Sequence, residues 1–198
     1  GAAAGRWSGS GVWLGSTFTL DTRIAALRPQ LLDGRAAAMT LSGPLALTIQ
    51  GLPSPAAAQP GDAPARPIEV SFRGALDGSL DGAPQPVSLA IDGLANAQRF
   101  ELRKVRAVSG SAVAELVATV ERTAGQRWRA RSEGKLVDFD PVPWVPGPDG
   151  SAWRKGPHRL NAAWKLDLAL PESAANLPAL QLLQTLQGEG SLKVDNSR

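Results

Sequence analysis

The sequence predicts an all-β protein laid out as an antiparallel meander, and three observations predict it. Apolar residues recur at every second position over long stretches, the period of a strand with one apolar face. Segments rich in Gly, Pro and Asp separate these stretches at spacings too short for βαβ crossovers. Helical spacing is confined to two short stretches, and Ala, Gly and Pro together make up more than a third of the 198 residues, which disfavours long helical bundles.

Taken along the chain, Asp21 to Leu32 reads as a short connecting helix using Ile24, Leu27 and Leu31, limited by Pro29. Met39, Leu41, Gly43, Leu45, Leu47 and Ile49 alternate with Thr40, Ser42, Thr48 and Gln50, a long half-buried strand. Residues 51–67, GLPSPAAAQPGDAPARP, have too few apolar groups to bury and read as a flexible Pro/Ala-rich surface loop. They do not divide the chain into domains, because the same strand pattern resumes at Ile68 and runs through Val70, Phe72, Gly74, Leu76, Gly78 and Leu80. Val87, Leu89 and Ile91, then Phe100 and Leu102, then Leu116, Ala118 and Val120 repeat it. Asp92-Gly93 and Ala83 to Pro86 read as turns. Trp128, Ala130 and Leu136 alternate with Arg127, Arg129, Arg131, Glu133 and Lys135, so this basic cluster reads as the solvated face of a strand; no aromatics for base stacking share that face.

The Pro/Gly-rich segment from Pro141 to Pro157 carries Trp144 and Trp153 and is expected to fold back onto the protein. Leu160, Ala162, Trp164, Leu166, Leu168 and Leu170 form the last long alternating run. Pro171 to Gln187 reads as a second short helix starting near Asn176 and stopped by Gly188. A loose Gly-x-Leu motif at Gly43, Gly74, Gly134 and Gly190 has no fixed period. It marks places where a strand bends or a neighbour approaches its backbone closely.

Composition removes whole classes of chemistry. With no Cys and one His, the chain has no disulfide scaffold, Cys-based zinc site, iron-sulfur cluster or thiol nucleophile. His158 has no Gly-x-Ser-x-Gly elbow to serve, and Asp138 and Asp140 read as strand exit and turn rather than as an acid/base pair. Neither a P-loop nor a dinucleotide fingerprint occurs. No enzyme, cofactor or metal site is expected, and the net charge of +3 is too small to argue for nucleic acid. No run reaches about 18 apolar residues, the length needed to span a bilayer as a helix. Gly1 to Gly5 lack an initiator Met and a signal pattern, so residues 1–198 are expected to be one fragment of a longer protein.

The surplus of one-sided strands leaves two architectures open. Either the sheet closes on its own Leu, Phe and Trp side chains as a sandwich or barrel, or it stays an open concavity occupied by something apolar.

The segment GKLVDFDPVPWVPGPDGSAWRKGPHRLNAAWKLDLALP, Gly134 to Pro171, resembles the TamB family of AsmA-like proteins, and LQGEGSLKVDNSR at the end resembles the start of a further repeat of that kind. LDGRAAAMTLSGPLAL and VSLAIDGL are similar in style. The resemblance implies an elongated, curved antiparallel β-sheet with a β-taco-like hydrophobic groove. It also implies a periplasmic location, with the parent protein anchored in the inner membrane by a segment not present here. The implied role is movement of phospholipid between inner and outer membranes in support of outer-membrane assembly. Phospholipid acyl chains, neighbouring repeats of the same chain and, through the parent protein, a TamA-like outer-membrane protein are the implied partners. On that reading the groove is lined by Leu45, Leu47, Ile49, Val70, Phe72, Leu76, Leu89, Ile91, Phe100, Leu102, Leu116, Val120, Trp128, Leu136, Trp164, Leu166, Leu168, Leu192 and Val194. The alternative is a self-contained β-sandwich binding or adhesion module of a larger surface protein, with its function in its loops.

Overall fold

The computed structural model describes residues 4–32, 36–53, 67–81, 85–123, 128–142, 144, 151, 154–155, 158–170 and 187–195. Of these, 76% are strand, in one open ten-stranded antiparallel sheet. The strands are β1 (Arg6–Leu14), β2 (Thr17–Leu27), β3 (Met39–Gln50), β4 (Glu69–Leu80), β5 (Pro86–Asn96), β6 (Arg99–Ser109), β7 (Ala112–Arg122), β8 (Trp128–Phe139), β9 (Leu160–Leu170) and β10 (Gln187–Val194). Their spatial order is their sequence order, so each strand pairs with the one before and the one after it, and β1 and β10 are the two edges.

Local chemistry makes the tight connections. β1 turns into β2 through Gly15 at φ +57° and Ser16, and β6 into β7 through Gly110 at φ +59° and Ser111, two-residue links that need a left-handed residue. Between β5 and β6, the Asn96 side-chain oxygen accepts from the backbone N–H groups of Gln98 and Arg99, both at 2.9 Å, and so reverses the chain.

Three sequence expectations are corrected. Asp21 to Leu27 belong to β2, and only Pro29–Leu31 coil, as a single 3-10 turn. Hydrogen bonding to both β1 and β3 outweighs the helix-like spacing of Ile24, Leu27 and Leu31. Asp92-Gly93 is a register shift inside β5 rather than a turn. The second helix falls on residues outside those described, except that Gln187 opens β10. Residues 54–66 of the Pro/Ala-rich loop also lie outside them.

The sheet curves, and the interruptions in its pairing account for the bending. Register shifts occur at Ile24/Leu27, Asp92/Gly93, Leu102/Val105 and Leu136/Phe139, and each adds local bend and twist. Two of them hold a non-glycine residue in the left-handed region, Ala26 at φ +52° and Asp138 at φ +49°. In each, a side chain from the adjacent strand takes up the backbone N–H: Ala26 donates to Ser42 Oγ at 2.9 Å and Asp138 to Asn161 Oδ1 at 2.9 Å. Ala26→Gly removes the steric cost of that conformation and adds a smaller unfolded-state entropy cost. The net gain is expected to be about 0.5 kcal/mol, read as a rise in melting temperature of about 1–2 °C.

Trp144 measures the curl. Its ring stands 5.9 Å from that of Phe139, at the end of β8, yet it packs against the buried cluster of Ile24, Leu41, Leu76, Leu80 and Val87 on β2 to β5. On a flat sheet β8 and β5 would be about 14 Å apart, three strand spacings, and an indole that reaches from one to the other over the apolar face fits a sheet curved toward that face. The expected fold-back of this segment is thus seen at Trp144; Trp153 lies outside the described residues.

Candidate functional site: the concave apolar face

Residues directly opposite one another in neighbouring strands point to the same side of a sheet, so the register sorts every side chain by face. It produces continuous rungs across all ten strands. One runs Trp13, Phe18, Ile49, Val70, Ala95, Phe100, Val120, Ala130, Leu168, Gly188. The next runs Gly11, Leu20, Leu47, Phe72, Gly93, Leu102, Ala118, Ser132, Leu166, Gly190. A third runs Gly9, Thr22, Leu45, Gly74, Ile91, Val105, Leu116, Gly134, Trp164, Leu192. In a fourth, Trp7 and Ile24 precede Gly43, which stands level with Leu76, and Leu89, Ala107, Ala114, Leu136, Ala162 and Val194 follow.

All the groove residues expected from the sequence therefore share one face; Trp128, opposite Arg122 and Leu170, sits just beyond the first rung. The register also adds residues the sequence reading missed: Phe18, Leu20 and Ile24 on β2, and Trp7 and Trp13 on β1. Their signal was present as alternation with Thr17, Thr19 and Asp21 and with Ser8 and Ser10, but the helical reading of Asp21 to Leu32 took Ile24 and left Phe18 and Leu20 as too short a run, and glycines dilute the β1 pattern.

Burial along this face is graded. At the end where β2, β4 and β6 finish, Leu41 and Leu80 are 2% exposed, and Ile24, Leu76 and Val87 are also buried, with Trp144 over them. Away from that cluster, Leu45, Leu47, Ile49, Val70, Ile91, Leu102, Leu116, Val120, Trp128, Leu136, Trp164, Leu166 and Leu168 are only half-buried, and Phe100 is exposed. The described residues contain no second sheet laid over them. Aromatic rings lie along the face rather than through it. Phe72 reaches over Gly93 to stack on Phe100, with centroids 6.1 Å apart, and a Cβ on Gly93 would come within 2.5 Å of the Phe72 ring. Trp164 lies across Gly134 in the same way and donates its indole N–H to Ser132 Oγ at 3.2 Å. Both glycines let a ring lie flat on the backbone, the close approach expected from the Gly-x-Leu motif.

The opposite face is charged and self-paired. Glu115 accepts from Arg106 at 3.0 Å and Lys135 at 2.9 Å, Asp92 from Arg73 at 2.8 Å, and Glu121 from Arg131 at 3.0 Å. Asp167 takes both Arg129 and Arg131. Arg73, Arg106, Arg129, Arg131 and Lys135 are thus one half of a cross-strand ladder of ion pairs on the solvated face. A depression of about 570 Å³ on this side, lined by Lys104, Arg106, Glu115, Val117, Lys135 and Ala163, is bordered by one of these pairings.

Hydrogen bonds from Lys135 and then Arg106 hold Glu115 below the ordinary carboxylate value; for Asp167 the hydrogen bond from Arg129 does so, outweighing the opposing effect of burial, with Arg131 adding a lesser share. Both carboxylates therefore contribute stability that is complete above their unfolded-state value and is lost as pH falls through the lowered one. The melting temperature is expected to fall as pH drops below about 4.5, and to fall less in Glu115→Gln/Asp167→Asn. With each carboxylate side chain 37% exposed, the effect stays small and is screened by salt.

Of the remaining candidates, Asp140 accepts the Val142 N–H at 3.0 Å, the turn initiation expected of it. His158 has a buried Nε2 without a hydrogen-bond partner among the described residues. No group of three His, Asp or Glu residues able to hold a metal ion occurs among the described residues. In comparisons with known proteins, no family model, curated protein or solved structure matches this chain.

Proposed function

We propose that this chain is a non-enzymatic lipid-conducting segment, whose concave face receives phospholipid acyl chains in the manner of the TamB-like proteins it resembles. The observation that carries the reading is the set of continuous, uncharged and mainly apolar rungs on a half-exposed, inward-curving face. An acyl chain laid along such a face gains about 0.8 kcal/mol for each CH₂ removed from water. Because no rung carries a charge on this face, no headgroup would be held at a fixed point, and a chain could shift from one rung to the next. The solvated outer face, with its paired charges, suits an aqueous compartment such as the periplasm. On this reading the parent protein is an envelope-spanning bridge between inner and outer membranes that supports outer-membrane assembly, with a TamA-like partner reached elsewhere in that parent. The two-sheet alternative lacks its second layer among the described residues.

A fluorescent fatty acid titrated into the purified chain is expected to bind with saturation and to be displaced by phospholipid, and mass spectrometry of the purified protein should find co-purified lipid. Leu166→Arg should reduce the fatty-acid signal at least tenfold while the thermal transition remains. Absence of any binding by the parent chain refutes the proposal.

A further inference from the structure

The rungs themselves hold no headgroup. Resting on the lipid-conducting reading, we infer that Arg122 and Trp128, just beyond the first rung, do: the guanidinium takes the oxyanion of an acidic lipid, and one acyl chain lies along β7 and β8 from there. Arg122 stands opposite Trp128, and Val120 opposite Ala130, so Arg122 points to the concave side. Among the described residues it is the one charged residue of the ten strands that the register places on that side. Arg106, Arg129, Arg131 and Lys135 on the neighbouring strands all face the other way, each onto a carboxylate. Arg122 meets a ring instead. Its guanidinium carbon lies 5.9 Å from the centroid of Trp128, within the range at which a ring face attracts and orients a cation. Its backbone N–H is fixed by donation to the Gln98 carbonyl at 2.8 Å. A guanidinium held over an indole keeps its planar fork of N–H donors for a ligand, and that fork matches the oxygens of a phosphate or a carboxylate.

Side-chain size makes a single acyl chain the fitting occupant. Next to Arg122 and Trp128, the rungs pass through Ala130, then through Ala118 and Ser132, the smallest side chains at those levels of β7 and β8. Leu102 on β6 and Leu166 on β9 stand on either side of them, so short residues form the floor of a furrow and long ones its walls. No ring fills this floor, in contrast to Gly93, which Phe72 covers. The furrow stops where Trp164 lies across Gly134. From Trp128 to Gly134 a strand advances about 20 Å. One acyl chain spans half of a bilayer's hydrocarbon core, about 15 Å, which leaves the remainder for the headgroup. The Ser132 hydroxyl accepts from the Trp164 indole N–H at 3.2 Å, so the polar group in the floor already has a partner and does not compete for the charged end. Charge at one end and an uncharged furrow of that length fix both the class of ligand and its direction.

A fluorescent fatty acid and its methyl ester share a tail and differ in charge, so titrating both at about pH 9 and fixed ionic strength separates head from tail. The wild-type chain is expected to bind the acid about tenfold more tightly than the ester. Arg122→Gln should abolish that preference by weakening the acid alone, with unchanged circular dichroism, and Arg122→Lys should keep part of it. Ala130→Leu fills the floor of the furrow and should weaken acid and ester alike. Inorganic phosphate at the same ionic strength should leave the acid bound. Equal binding of acid and ester by the wild-type chain, or an undiminished preference in Arg122→Gln, overturns the headgroup site and leaves the lipid-conducting reading standing. Displacement of the acid by inorganic phosphate overturns it in favour of a site for free anions, and unchanged binding of both probes by Ala130→Leu places the chain elsewhere. Failure of the wild-type chain to bind either probe overturns the lipid-conducting reading itself.

Discussion

Leu41→Arg is expected to abolish the folding transition, whereas Leu47→Arg, three rungs away on the same strand and the same face, should leave a cooperative melt. Leu41 is 2% exposed inside the cluster with Ile24, Leu76, Leu80 and Val87, so a guanidinium there has neither water nor a partner. The cost should exceed about 4 kcal/mol, a large share of the stability of a domain this size. Leu47 is half-buried on the open part of the concave face, where an arginine can extend to solvent and only the buried part of the leucine is lost, about 1–2 kcal/mol. Thermal melts of both variants followed by circular dichroism check the contrast. Equal loss at both sites would mean that the whole face is sealed, and the open-groove reading would fall with it. Retention of the melt in Leu47→Arg together with loss of fatty-acid binding would support it.

The second large effect is expected at Gly134, where a side chain has no room on either side. A Cβ there would overlap the Trp164 ring and stand 2.7 Å from the backbone oxygen of Glu115. Gly134→Val therefore forces Trp164 off the sheet, breaks its hydrogen bond to Ser132 and strains the β7–β8 pairing, at a cost of about 3 kcal/mol. Tryptophan fluorescence should report the displaced indole as a red shift, and the melting temperature should fall by about 6–12 °C. Trp164→Ala separates the two causes. It removes the ring but keeps the glycine, so in its background Gly134→Val should cost less, the remainder being the clash with the Glu115 carbonyl.

Much of this site was legible along the chain because face assignment in a strand is a local property. Alternation at Met39 to Ile49, Ile68 to Leu80 and Leu160 to Leu170 allots each side chain to one of two sides, wherever the strand later pairs. The same logic correctly placed Arg129, Arg131, Glu133 and Lys135 on the solvated side. Local pattern also marked Gly134 as a point of close approach, since a glycine within an otherwise regular strand has few other uses.

What local pattern misread, it misread where two conformations share one spacing. Ile24 and Leu27 fit a helix as well as an irregular strand, and hydrogen bonding to the neighbouring strands β1 and β3 decided the matter. Asp92-Gly93 has turn chemistry, yet pairing with β4 and β6 on either side, with Phe72 lying over Gly93, keeps the strand running through it.

The sequence by itself determined that the protein is all-β, that each long strand has one apolar and one polar side, and that thiol and iron-sulfur chemistry are absent. Those are properties of composition and of a two-residue backbone period. The tertiary structure alone decided that ten strands pair in chain order with their apolar rows level, and that bulges and a reaching Trp144 curl that face inward. It also decided that the charges opposite neutralise one another across strands. Register, curvature and ion pairing arise between strands rather than within one, so the alternation along a single strand does not contain them.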